Sequence, residues 1–183
     1  MRNTLYQMVA GKKVLLLGFG REGRSTFSLL NEVGGFASLT IADKQQVTLP
    51  HNSNVALLCG EHYQDTLDEY DVVFKSPGIV LDRPFESYTC FITSQAEVFL
   101  AVYGHQTIGV TGTKGKSTTA TLLYHILKTA GMETVLLGNI GIPPFERAEE
   151  MFAWTIAVME LSCHQLEFTR FAPHTAVLLN VYE

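Results

Sequence analysis

The amino-acid sequence predicts an α/β fold built from two parallel-sheet units in tandem. Short apolar runs alternate with helical segments, as parallel strands joined by crossover helices require. A glycine-rich turn follows an apolar run and opens a helical segment twice, at Gly18–Gly23 and again at Gly112–Gly115. Composition agrees: 46% of the 183 residues are hydrophobic and 17% charged, which excludes disorder.

Val14–Leu17 is the first expected strand, continuous and apolar as a strand covered on both faces should be. Ser25–Val33 follows as a helix whose apolar face is Phe27, Leu29, Leu30 and Val33, closed by Gly34-Gly35. Further strands are expected at Ser38–Ala42, Val55–Leu58, Val72–Phe74 and Phe91–Thr93. Gln95–Tyr103 carries Ala96, Phe99, Leu100 and Tyr103 at helical spacing. After Gly104-His105 the pattern restarts, with a strand at Thr107–Val110, a loop at Thr111–Lys116 and a helix over Ser117–Ala130 ended by Gly131. Strands at Thr134–Leu137, Thr155–Met159 and Thr175–Leu179 complete the series. The boundary falls at 94–104, giving units 1–94 and 95–183. The second is short against the ~100–150 residues usual for a domain, so the chain reads as the front of a longer protein.

With 13 basic and 18 acidic residues the net charge is −5, so no basic field exists to hold a nucleic-acid backbone. No apolar run approaches the ~20 residues that a bilayer crossing needs, and Met1–Thr4 lacks the apolar core of a secretion signal. Cys59, Cys90 and Cys163 are odd in number and far apart, and read as reduced thiols.

The chemistry-bearing segment is Gly109-Val110-Thr111-Gly112-Thr113-Lys114-Gly115-Lys116-Ser117-Thr118-Thr119. Gly115-Lys116-Ser117 between a strand and a helix is the context of a P-loop, so the second unit reads as a partial P-loop ATPase-type α/β domain. Backbone N–H groups and the helix N-terminus can cradle phosphates. Lys116 can neutralise their charge, and the Ser117 hydroxyl can ligate Mg²⁺. Val110 stands where the strict pattern wants glycine, and Gly112 lies inside the loop instead. Glu160, directly after the run Thr155–Met159, is the candidate acid for the metal.

Gly18-Phe19-Gly20-Arg21-Glu22-Gly23 matches G-x-G-x-x-G, with Asp43 twenty residues beyond it where a ribose-binding acid belongs. The first unit is therefore Rossmann-like. Three readings fit the cluster: a dinucleotide cofactor, a nucleotide-diphosphate substrate, or glycines kept for tight helix–strand packing. Ser76-Pro77-Gly78 and Gly138-Asn139-Ile140-Gly141 follow expected strands at the carboxyl edge, where open sheets bind ligands.

Together these segments are similar to the Mur ligases, which build the peptidoglycan stem peptide. The loop at 111–119 resembles their ATP loop. The glycine cluster, Ser76-Pro77-Gly78-Ile79, Gly138-Asn139-Ile140-Gly141 and Glu160-Leu161-Ser162-Cys163-His164-Gln165-Leu166 resemble the branch that adds D-glutamate to UDP-N-acetylmuramoyl-L-alanine. Asn180-Val181-Tyr182-Glu183 resembles the start of the next motif. The resemblance runs in order from about residue 13 to 183. Lys114 stands in place of the usual asparagine, and Cys163-His164 in place of Ser-Phe.

The resemblance implies an ATP- and Mg²⁺-dependent amide ligase that works through an acyl phosphate. It is expected to be a bacterial cytoplasmic monomer with no nucleic-acid or membrane partner. Implied for ATP are Gly112, Thr113, Lys114, Gly115, Lys116, Ser117 and Thr118, with Lys116 and Glu160 catalytic and Ser117 and Glu160 on the metal. Implied for the UDP substrate are Gly20, Arg21, Glu22, Asp43, Lys44, Ser76, Pro77, Gly78 and Asn139. The remaining alternatives are another Mur or folylpolyglutamate-type ligase and a non-catalytic module that binds UDP-sugars.

Overall fold

The computed structural model describes residues 1–49 and 55–182. The chain divides into two compact units, Met1–Ser94 and Gln95–Glu183.

The first unit contains α1 (Arg2–Val9), β1 (Lys13–Leu17), α2 (Arg21–Val33), β2 (Ser38–Asp43), β3 (Ala56–Cys59), β4 (Val72–Lys75) and β5 (Phe91–Thr93). Its strands lie in the order β3-β2-β1-β4-β5, and every neighbouring pair is parallel. The chain lays β2 and β3 on one side of β1, then crosses to place β4 and β5 on the other. The switch point therefore opens between β1 and β4, where a doubly wound sheet receives ligands. Val14, Leu15, Leu16 and Leu17 are fully buried, as a central strand covered on both faces demands. Leu15, Leu17, Ala42, Leu67, Val73 and Ile92 form the core on one face.

The second unit contains α3 (Gln95–Tyr103), β6 (Thr107–Thr111), α4 (Lys116–Thr129), β7 (Thr134–Gly138), β8 (Ile156–Glu160), α5 (Cys163–Leu166) and β9 (Thr175–Leu178). The sheet order is β7-β8-β6-β9, again all parallel. Val110, Ala120 and Val158 join α4 to the sheet. Among the described residues no helix is long and apolar enough to cross a membrane.

The α/β class is borne out, and differences from the expected elements have local causes. α2 starts at Arg21 rather than Ser25, so the last glycine of the first cluster lies inside the helix. Of its expected apolar face only Leu29 and Leu30 are buried; Gly23, Ser25 and Thr26 take the other inward positions. Small residues are needed there because a Cβ at Gly23 would lie 2.1 Å from the Gly18 carbonyl oxygen. α3 is buried over Gln95–Leu100, including Glu97, whose carboxylate receives Arg170 in a two-pronged ion pair. α1 has no counterpart in the expected elements, since it buries only Leu5 and Val9. β2, β4 and β8 each extend to a polar last residue: Asp43, Lys75 and Glu160.

Candidate nucleotide and substrate sites

In the second unit, β6 delivers the chain to the carboxyl edge of the sheet at Thr111. Gly112 (φ +141°) and Gly115 (φ +86°) then turn it into α4, whose first residue is Lys116. No side chain caps this helix. The amides of Lys116, Ser117 and Thr118 belong to the first helical turn, where intrahelical carbonyl partners run out. They form an exposed, electropositive mouth suited to phosphate. The Lys116 ammonium folds back and donates to the carbonyls of Gly112 (2.7 Å) and Thr113 (3.3 Å). Two other loop amides already have partners, because Thr113 N–H donates to the Asn180 carbonyl and Lys114 N–H to Asn180 Oδ1. Lys114 turns its ammonium toward the Tyr182 ring, 5.8 Å from the centroid.

Glu160 ends β8 in register with Val110 of β6, one strand from the loop. Its side chain is 1% exposed. Oε1 accepts from Asn139 Nδ2 at 2.9 Å, while Oε2 is buried and has no hydrogen-bond partner among the described residues. Burying a carboxylate oxygen without a donor is costly, and a cation is the partner that such an oxygen suits. Together with the Ser117 hydroxyl at the helix mouth, this donor set fits Mg²⁺, which takes one or two protein oxygens plus phosphate.

Asn139 is held at Glu160 twice, since its N–H also donates to the Glu160 carbonyl. That wrap requires Gly138: φ is +97°, and a Cβ would lie 2.2 Å from the Glu160 oxygen. Asn139, expected on the UDP substrate, thus sits beside the metal-type acid. Ser162 and Gln165 form a capping box that starts α5, leaving Cys163 and His164 exposed.

In the first unit, Gly18 leaves β1 with φ +91° and packs so closely on Ser76 that a Cβ would lie 2.9 Å from its side chain. Ser76 Oγ donates to the Gly18 carbonyl at 3.1 Å, tying the two loops that flank the switch point. Asp43 uses both carboxylate oxygens on backbone, accepting from Phe19 N–H (2.7 Å) and Gln45 N–H (2.9 Å). The acid therefore shapes the glycine turn. Gly20, Arg21 and Asp43 line one cavity of about 530 Å³ with Phe19, Arg24 and Gln45. Glu22, Lys44 and the Ser76–Gly78 turn are not among its lining residues. Lys44 pairs on the surface with Glu61 at 3.2 Å.

Arg24 is the residue that motif reading passes over. It stacks 4.7 Å over the Phe19 ring and, one turn on from Arg21, adds a second guanidinium to a helix N-terminus. Its spacing of three from Arg21 is the signal that was available.

A phosphate loop with an acid on the neighbouring strand end, preceded by a separate sheet with a glycine turn at its switch point, defines a P-loop type α/β protein of two units. Residues 110–183 match the family described as Mur ligase middle domain. The chain is 36% identical over 181 residues to a UDP-N-acetylmuramoylalanine–D-glutamate ligase of Clostridium botulinum, covering 93% of this chain and 39% of that protein. The same-named protein of Clostridium kluyveri is 33% identical over 186 residues, covering 96% and 40%. In fold it is similar to the UDP-N-acetylmuramate:L-alanyl-gamma-D-glutamyl-meso-diaminopimelate ligase of Neisseria meningitides. That comparison has a TM-score of 0.51 at 19% identity and covers 94% of this chain and 61% of that one. Over the stretch it spans, the chain belongs to the Mur ligase family. That stretch is about two-fifths of the length of the curated relatives it matches.

Proposed function

We propose that this chain supplies the UDP-substrate unit (1–94) and the first part of the ATP-binding unit (95–183) of a ligase adding D-glutamate to UDP-N-acetylmuramoyl-L-alanine. The observation that carries the reading is the Glu160 oxygen, buried and without a donor among the described residues, one strand from the phosphate loop. The substrates are those in the names of the two clostridial relatives.

A carboxylate is a poor acyl donor because its oxygen is a poor leaving group. In the proposed reaction a carboxylate oxygen of the substrate attacks the γ-phosphorus of ATP, ADP departs, and an acyl phosphate results. The D-glutamate nitrogen then attacks the acyl carbon, the carbon–oxygen bond breaks, and inorganic phosphate leaves as the amine sheds its proton. Ser117 and Glu160 would hold Mg²⁺, whose charge would offset that of the phosphates. Lys116 exchanges its two carbonyl partners for phosphate oxygens, and the first-turn amides of α4 hold the transferring group by fixed dipoles. No residue here acts as a covalent nucleophile, so the chain's part is positioning and charge. In the first unit, Arg21 and Arg24 at the N-terminus of α2 match a diphosphate, with Asp43 holding the turn that receives it.

Calorimetry with UDP-N-acetylmuramoyl-L-alanine tests the substrate assignment. The chain is expected to bind it, and Arg24→Ala to weaken binding ~10-fold, the loss of one charge-assisted hydrogen bond. Equal affinity for UDP-N-acetylmuramate lacking L-alanine, or no binding, would count against it. By this reading the 183 residues alone release no ADP on addition of D-glutamate, and measurable turnover would refute the division of labour.

A further inference from the structure

Asn180, two residues beyond β9, makes more contacts with the phosphate loop than any strand pairing requires. Its side chain pairs with both backbone groups of a single residue: Oδ1 accepts from Lys114 N–H at 2.9 Å, and Nδ2 donates to the Lys114 carbonyl at 3.0 Å. Its own carbonyl accepts from Thr113 N–H at 3.0 Å. Gly112 is pressed against the same residue, so that a Cβ there would lie 3.0 Å from the Asn180 carbonyl oxygen. Tyr182 N–H closes the set by donating to Thr113 Oγ1 at 3.2 Å. The tip of the loop, 66 residues away in sequence, is thereby fastened to the segment after β9.

From this geometry we infer that Asn180 is the positioning residue of the phosphate loop. It turns the Thr113 and Lys114 amides away from the ligand and so leaves anion capture to the first turn of α4. A loop free to flip these two peptides would have to be ordered each time a nucleotide binds, and pre-ordering removes that cost. Only an amide side chain serves. Aspartate keeps the acceptor for Lys114 N–H, loses the donor, and adds a negative charge beside the phosphates; alanine loses both. The fastening is read from the loop alone, while its consequence for affinity rests on the ATP reading above.

The test uses the 183-residue chain, with amide hydrogen exchange of single residues read by NMR and MgATP titrated by calorimetry. Asn180→Ala is expected to speed exchange of the Lys114 amide ~10-fold or more, the loss of one hydrogen bond. Thr113, bonded to the backbone carbonyl, should change less, and Val110 and Val177 in the sheet not at all. MgATP affinity should fall ~10-fold in Asn180→Ala and further in Asn180→Asp, which nevertheless restores part of the Lys114 protection. Unchanged Lys114 exchange, or equal acceleration at Val110 and Val177, overturns the inference. Faster Lys114 exchange with unaltered MgATP affinity overturns the positioning role. A wild-type chain that binds no MgATP refutes the ATP reading instead, and the exchange rates still decide the fastening.

Discussion

Gly23→Ala sets two physical effects against each other within one residue. Gly23 lies in the first turn of α2. Alanine is the better helix former by ~0.8–1.0 kcal/mol, so propensity alone makes the variant more stable. The structure opposes this: the added Cβ would lie 2.1 Å from the Gly18 carbonyl oxygen and 3.0 Å from its carbon. Both atoms are backbone and cannot swing aside, and Gly18 is itself fixed by Ser76 on one side and by its N–H bond to Ala42 on the other. A contact this short against backbone belongs in the upper part of the ~1–3 kcal/mol range for overpacking, at ~2–3 kcal/mol, so the net expectation is a loss of ~1–2 kcal/mol. For a unit of this size each kcal/mol moves Tm by ~4–8 °C, which predicts a fall of roughly 5–15 °C. Differential scanning calorimetry of the unit that contains residues 1–94 reads it directly. An unchanged or raised Tm would refute the packing argument and return Gly23 to ordinary helix chemistry.

Glu160→Gln keeps an oxygen for Asn139 and removes the charge; MgATP affinity is expected to fall ~10-fold while ATP affinity in EDTA stays the same, compared by calorimetry. Arg170→Met removes the two guanidinium hydrogen bonds to the buried Glu97 carboxylate and leaves the backbone N–H of residue 170 on Oε1. Since the guanidinium is half-exposed, the loss belongs near the lower end of the ~3–5 kcal/mol for broken buried pairs, measured by chemical denaturation of the second unit. Hydrogen bonds from Arg83 and Thr89 hold the Asp68 carboxyl down to about 2, below its usual 3.8. A carboxylate whose folded value is depressed stabilises the protein above its unfolded value. The contribution is complete above pH ~4 and disappears as the pH falls toward 2, a trend that Asp68→Asn should flatten in an acid titration of stability.

The inner strands β1, β4 and β8 were legible because their burial on both faces writes itself as unbroken apolar runs, and the loops because glycine marks the turns. What the same logic dropped was the polar last residue of three strands. Asp43, Lys75 and Glu160 break the apolar run yet still belong to β2, β4 and β8, and the carboxyl edge of a parallel sheet is where function sits. α3 escaped a full reading because burial of Glu97 depends on Arg170, 73 residues away. Asn180 falls within a recognisable motif, but its pairing with Lys114 is a long-range contact that no local pattern encodes. Asp43 stands where the motif places a ribose-binding acid, and its two backbone bonds show that it builds the turn.

The role proposed for the mouth of α4 and the Lys116 ammonium is to hold the phosphates of a nucleoside triphosphate. Titration of MgATP into the wild-type chain and into Lys116→Ala tests it most directly. A loss of roughly 30- to 100-fold is expected on removal of the ammonium, within the range for hydrogen bonds to charged groups, with Tm unchanged because its hydrogen bonds among the described residues run to loop carbonyls. Equal affinity in the two proteins would contradict it.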